Sequence, residues 1–185
     1  MRTLIRSLAM IAVIAAAQAT TLQQLSLDNI ISQSTAAVHA KVTGSRVALR
    51  GQDIWTFYQL QVMDTLKTGP NSGQIMEVAV PGGAMQGVRQ AVAGAPALTP
   101  GGEYVLFLWT SKSGLTQVIG LSQGLFLVNT DASGNKLLSR PAAAATMLDQ
   151  NGNPVTDQAV SLSLSGLRLR MGVPSLASGT QGAAK

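Results

Sequence analysis

Residues 102–110 read GEYVLFLWT, and no other stretch restricts the fold as much. Tyr104, Leu106 and Leu108 alternate with Val105, Phe107 and Trp109, so an extended chain here points apolar side chains to both faces. Such a strand needs partners beside it and a covering layer above and below. The same period of two recurs in shorter runs around it. In TAAVHAKVTG, Ala36, Val38, Ala40 and Val42 alternate with Ala37, His39, Lys41 and Thr43, which puts His39 on the solvent side with Lys41. IWTFYQLQVMDTL points Tyr58, Leu60 and Val62 inward, and QIMEVAV sets Met76, Val78 and Val80 opposite Glu77. TQVIG and GLFLV are two further short strands. Gly, Pro and Asn turns such as KTGPNSG and NTDASGNK separate these runs, the pattern of a small barrel or sandwich.

Helical signals are few. In LSLDNIISQS, Ser26 suits an N-cap, Asp28 suits the positive first turn, and Leu27, Ile30 and Ile31 share a face. SLSLSGLRLRM allows two readings. Leu162 and Leu164 alternate as in a strand, Gly166 breaks that parity, and Leu164, Leu167 and Met171 also fit a helical face. The final VPSLASGTQGAAK is Ser/Gly/Ala-rich and reads as a disordered tail.

The beginning of the chain reads as an export signal. Arg2 and Arg6 precede an uncharged apolar run over residues 8–17, and Ala17-Gln18-Ala19 is a small-x-small site. Cleavage is expected between Ala19 and Thr20, leaving an exported soluble protein, periplasmic or secreted. The apolar run is about half of the ~20 residues that span a bilayer. With no cysteine, the mature chain must be held by packing and not by disulfides. Losing Arg2 and Arg6 leaves a small excess of scattered bases, with no basic stripe and interleaved aromatics for nucleic acid.

Four motifs invite a chemical reading. VPGGAMQGVRQAVAGAP follows a strand as phosphate-binding glycine loops do, but the next segment is extended, with no helix start and no Gly-Lys-Ser/Thr ending. It reads as a proline-stiffened turn whose Met85, Val88 and Arg89 are candidate partner contacts. GLSQG matches the nucleophile elbow of hydrolases around Ser122, yet a β-like LFLV follows it and the sole histidine, His39, precedes it. SGNK has the Ser-x-x-Lys spacing, in a context that reads as a hairpin turn. DQNGNPVTD spaces Asp149, Asn151, Asn153 and Asp157 like a calcium loop, but Pro154 stands in place of the usual glycine and Val160 in place of the closing glutamate. No cofactor, metal or catalytic set is expected.

The ordered run from TAAVHAKVTG through PGG, GAP, GEYVLFLW and GLSQGLFLV resembles a family of uncharacterised exported bacterial proteins with the same turns and hairpin in order. The likeness covers about residues 35–128 and implies a shared fold without an activity. More loosely, AAVHAKV followed by the long YQLQVMDTLKTG and by GGEYVLFL resembles the netrin-like, OB-type module of tissue inhibitors of metalloproteinases. Their cysteines are missing here, and Thr20 stands where the zinc-chelating cysteine would begin the mature chain. The expected architecture is therefore all-β with minor α: a small OB-fold or netrin-like barrel over residues 34–130. It follows a signal peptide (1–19) and a helical segment (20–33), and precedes an irregular extension (131–173) and a tail (174–185). The function expected is a non-enzymatic binding module whose partner is an exported or envelope protein; the alternatives are a serine hydrolase using Ser122 and a structural envelope protein.

Overall fold

The computed structural model describes residues 21–143 and 146–173. The expected signal peptide, with its Ala19/Thr20 cleavage point, and the expected tail from residue 174 lie outside the described residues. The chain enters through a short strand β1 (Leu22–Gln23) and helix α1 (Leu27–Gln33). Ser26 caps α1 as its sequence suggests, its hydroxyl accepting from the Asn29 N–H. Two 15-residue strands follow, β2 (Ala36–Arg50) and β3 (Asp53–Lys67), and then β4 (Ile75–Pro81). A small hairpin, β5 (Gly83–Met85) with β6 (Val88–Gln90), precedes the central strand β7 (Glu103–Thr110). The second half holds β8 (Thr116–Val118), a 3-10 turn (Leu121–Gly124), β9 (Leu125–Thr130) and β10 (Lys136–Arg140). It ends with β11 (Met147–Leu148), β12 (Pro154–Val155), β13 (Val160–Ser163) and helix α2 (Leu164–Arg170).

The main sheet is antiparallel, in the order β13-β10-β9-β7-β2-β3-β4, with β8 also paired to β7. Among the described residues the pairing is a path, and no pair joins its two ends. The protein is thus all-β with minor α. Register shifts between β2 and β3 at Ala37/Val38, His39/Ala40 and Val42/Gly44 add twist to the long hairpin.

Both faces of the sheet are covered, as the composition of β7 requires. Leu106 and Leu108 join Val38, Ala40, Leu60, Val62 and Val78 in one buried cluster. On the opposite face Val105 and Phe107 meet Phe126, Val128 and Leu138, beneath Ile30 of α1 and Leu164 and Leu167 of α2. Phe107 and Phe126 pack edge to face with ring centroids 6.0 Å apart.

The stretch 131–173, expected to be irregular, is only partly so. Leu138, Met147 and Leu167 are completely or almost completely buried, and β10 and β13 belong to the main sheet. The ambiguous SLSLSGLRLRM is a strand and a helix in succession. Alternation ends at Ser163, whose hydroxyl accepts from the Gly166 N–H and caps α2.

Candidate functional site

The GLSQG segment forms a tight 3-10 turn between β8 and β9, and every residue in it is constrained. Gly120 and Leu121 both adopt left-handed backbone, at φ 60° and 57°, a conformation costly for leucine. Gln123 is buried, and its side chain clamps the N-terminal segment: Oε1 accepts from the Leu25 N–H at 2.8 Å, and Nε2 donates to the Gln23 carbonyl at 2.9 Å. Gly124 has no room for a side chain, since a Cβ would lie 2.8 Å from the Ile119 carbonyl oxygen and 3.1 Å from that of Phe107. The Ser122 N–H donates to the Gly94 carbonyl at 3.0 Å, which ties the turn to the loop after β6.

Both residues of this tie line a cavity of about 570 Å³. Small residues of the loop (Ala93, Gly94, Ala95, Ala97) make one wall. Leu125 and Leu127 of β9, Ser139 and Arg140 of β10, and the following Pro141, Ala142 and Ala143 make the other, with Tyr104 and Ser122 between. Among the described residues the lining holds no carboxylate and no imidazole. The cation among its described residues, Arg140, is neutralised: Nη1 and Nη2 donate to the two carboxylate oxygens of Asp157 at 2.6 and 3.1 Å. The hydroxyls of Ser122 and Ser139 make no hydrogen bond with another described residue. Among the described residues the arrangement offers apolar contact, two hydroxyls without a hydrogen-bond partner, and no unpaired charge.

His39 does not serve Ser122. Strand parity placed it in solvent, but it is only 3% exposed, because β10 and α2 close over that face of β2. Its Nε2 lies 3.2 Å from Glu103 Oε2, and Lys136 Nζ donates to the same oxygen at 2.8 Å. Asp64, opposite His39 in the ladder, is paired with Arg168 of α2. Burial lowers the pKa of His39 and favours its neutral form, and the Lys136 hydrogen bond holds the Glu103 carboxyl below its ordinary range. None of these five residues lines the Ser122 cavity.

The other motifs are turns. Asp131 and Asn135 bracket the β9–β10 turn, where Asp131 Oδ1 accepts from the N–H groups of Ser133 and Asn135. Asp149 does the same with Asn151 and Asn153. In both, the asparagine side chain donates to the second aspartate oxygen, so D-x-x-G-N is one device used twice, a repeat visible in the sequence once the pair is set side by side. Asp157, the last position of the supposed calcium loop, is instead the buried partner of Arg140.

Met85, Val88 and Arg89 lie together at the β5–β6 hairpin, whose turn residues Gln86 and Gly87 have φ 51° and 78°. Val88 and Arg89 are exposed and Met85 is half-buried. The Ser122 cavity itself escaped sequence reasoning. Its signal is two runs of small residues, AVAGAPA and RPAA (residues 91–97 and 140–143), too small to fill the space between the backbones that carry them.

Gly124→Val is expected to cost about 2 kcal/mol or more, through displaced backbone, whereas Ser122→Ala is expected to change stability by less than about 0.5 kcal/mol. Urea unfolding of both variants checks this; equal costs would mean that Ser122 is structural.

Comparison of the chain with protein-family models, with curated proteins and with solved structures returns no match.

Proposed function

We propose that this chain is an exported, non-enzymatic binding module that holds an uncharged, mainly apolar small molecule in the cavity above Ser122. The observation that carries this reading is the cavity's chemistry: about 570 Å³ of space, within the range of small-molecule sites, walled by alanine, leucine and tyrosine and free of net charge. The two unspent hydroxyls would orient a ligand hydroxyl or carbonyl, while the small side chains leave room for its apolar body. The basic start at Arg2 and Arg6, the apolar run over residues 8–17 and the Ala17-Gln18-Ala19 site support export in this reading. The long, bulged β2–β3 hairpin supports a coiled, barrel-like sheet of OB or netrin-like type.

A serine hydrolase is the second reading. The left-handed Gly120–Leu121 pair favours it, since strain beside a serine is a feature of nucleophile turns. Against it, no described residue lining the cavity offers a carboxylate or imidazole to accept the Ser122 proton.

Titration of the mature protein with a fluorescent monoacylglycerol tests the binding reading. Saturable one-to-one binding is expected, weakened at least tenfold by Ala93→Trp, which adds bulk to the cavity lining from an exposed loop position and should leave the melting temperature unmoved. Binding that does not saturate, or that Ala93→Trp leaves unchanged, contradicts the site.

A further inference from the structure

We propose a second interaction surface, independent of the cavity: the far end of the β2–β3 hairpin, with the β5–β6 hairpin laid across it, docks on an anionic lipid surface. Two large apolar side chains protrude here, Leu49 at 55% exposure and Val88 at 61%. They belong to one groove of about 390 Å³, completed by Met85 and floored by the buried Ile54. The groove exists because β5 packs closely over the long hairpin: a Cβ on Gly83 would lie 2.8 Å from Thr56 Oγ1 and 3.1 Å from both Ile54 and Val47 side-chain atoms.

Cations surround this apolar end. Arg89 is exposed in the groove wall. Arg50 is at the tip, and its Nη2 donates to the Ser113 carbonyl at 3.1 Å, which brings the β7–β8 turn and its exposed Lys112 to the same end. The carboxylate at this end is Asp53, with Oδ1 accepting from Gln90 Nε2 at 3.1 Å. Arg46, further along the hairpin, is already neutralised by two hydrogen bonds to Glu77.

The disposition of the charges favours a lipid plane over an acidic peptide. Leu49 pairs with Ile54 and Arg50 with Asp53 in the ladder, so alternation sends Leu49 and Arg50 to opposite faces of the hairpin. Arg50 and Lys112 therefore flank the apolar tip on one side and Arg89 on the other. A plane of lipid phosphates can meet all three while Leu49 and Val88 enter the boundary region below the headgroups; a peptide lying in the groove would reach Arg89 alone.

The test is sedimentation of the mature protein with vesicles of phosphatidylcholine alone or with one-third phosphatidylglycerol, at low and high salt. Binding to the anionic vesicles is expected to be at least tenfold tighter than to the neutral ones and to be lost at 0.5 M salt. Val88→Asp and, separately, Arg50→Ala with Arg89→Ala should each reduce it at least fivefold without moving the melting temperature, because these side chains are exposed. Leu49→Gln provides a second apolar variant if Val88→Asp disturbs the hairpin. Equal affinity for the two vesicle types, no vesicle binding, or binding unaffected by any of these variants overturns the proposal. Capture by an acidic peptide without vesicle binding overturns it in favour of a protein partner.

Discussion

Asp157→Ala is expected to destabilise the protein by about 3–5 kcal/mol, the range for breaking a buried ion pair from one side. Arg140 is 6% exposed and the Asp157 side chain 2%, so both groups are largely shielded from bulk water. Asp157 Oδ2 accepts from Arg140 Nη1 at 2.6 Å and from the Ala143 N–H at 2.8 Å, while Oδ1 accepts from Nη2 at 3.1 Å. Arg140 Nε has no partner among the described residues, so the variant would leave a buried guanidinium holding little but the Gln158 carbonyl. The pair also fastens residues 141–143, one wall of the cavity, to the sheet. Replacing both partners, Arg140→Met with Asp157→Leu, should recover much of the loss, since the buried charge is then gone. Urea unfolding of the single and double variants checks this; a loss under about 1 kcal/mol for Asp157→Ala would mean that the pair is hydrated.

The same pair predicts the direction of an acid effect. Burial alone would raise the Asp157 pKa, but the hydrogen bonds from Arg140 and Ala143 outweigh it and hold the carboxyl below its ordinary value of 3.8. A lowered folded pKa contributes stability that is complete above about 3.8 and is lost as pH falls through the folded value.

The second large effect is expected at the centre of the sheet. Phe107→Ala should cost about 3–5 kcal/mol, because Phe107 is completely buried and its edge-to-face partner Phe126 would border the resulting void. Trp109 shares its strand and parity but is 38% exposed, beyond the cover of the second core. Trp109→Ala should cost less than half as much. Thermal unfolding of the two variants compares them; a similar loss for both would mean that the second apolar face is not closed.

The contrast shows which features the sequence carries openly. Burial of β7 on both faces was legible because alternation with no polar phase has one economical solution. The α1 cap was legible because Ser26 and Asp28 act locally. His39 was misplaced for the opposite reason: its cover comes from Lys136 and Arg168, distant in the chain, and no local period reports a layer added from there. The β13–α2 junction stayed ambiguous because four strand residues and seven helical ones are each too short for a period to dominate. The cavity was the least legible feature. Residues 91–97 and 139–143 become opposing walls only when β9 and β10 pair beside β7.

In the proposed function, the cavity lined by Ser122 holds a neutral apolar molecule and leaves it chemically intact. The most direct measurement incubates the mature protein with a neutral acyl ester and follows both the ester and the protein by intact-mass spectrometry. The ester is expected to be recovered unchanged, the protein to carry no added mass after denaturation, and a one-to-one noncovalent complex to be seen under native conditions but not with Ala93→Trp. Release of the free acid and alcohol, or an acyl mass on Ser122 that Ser122→Ala abolishes, would contradict it and make the protein a hydrolase.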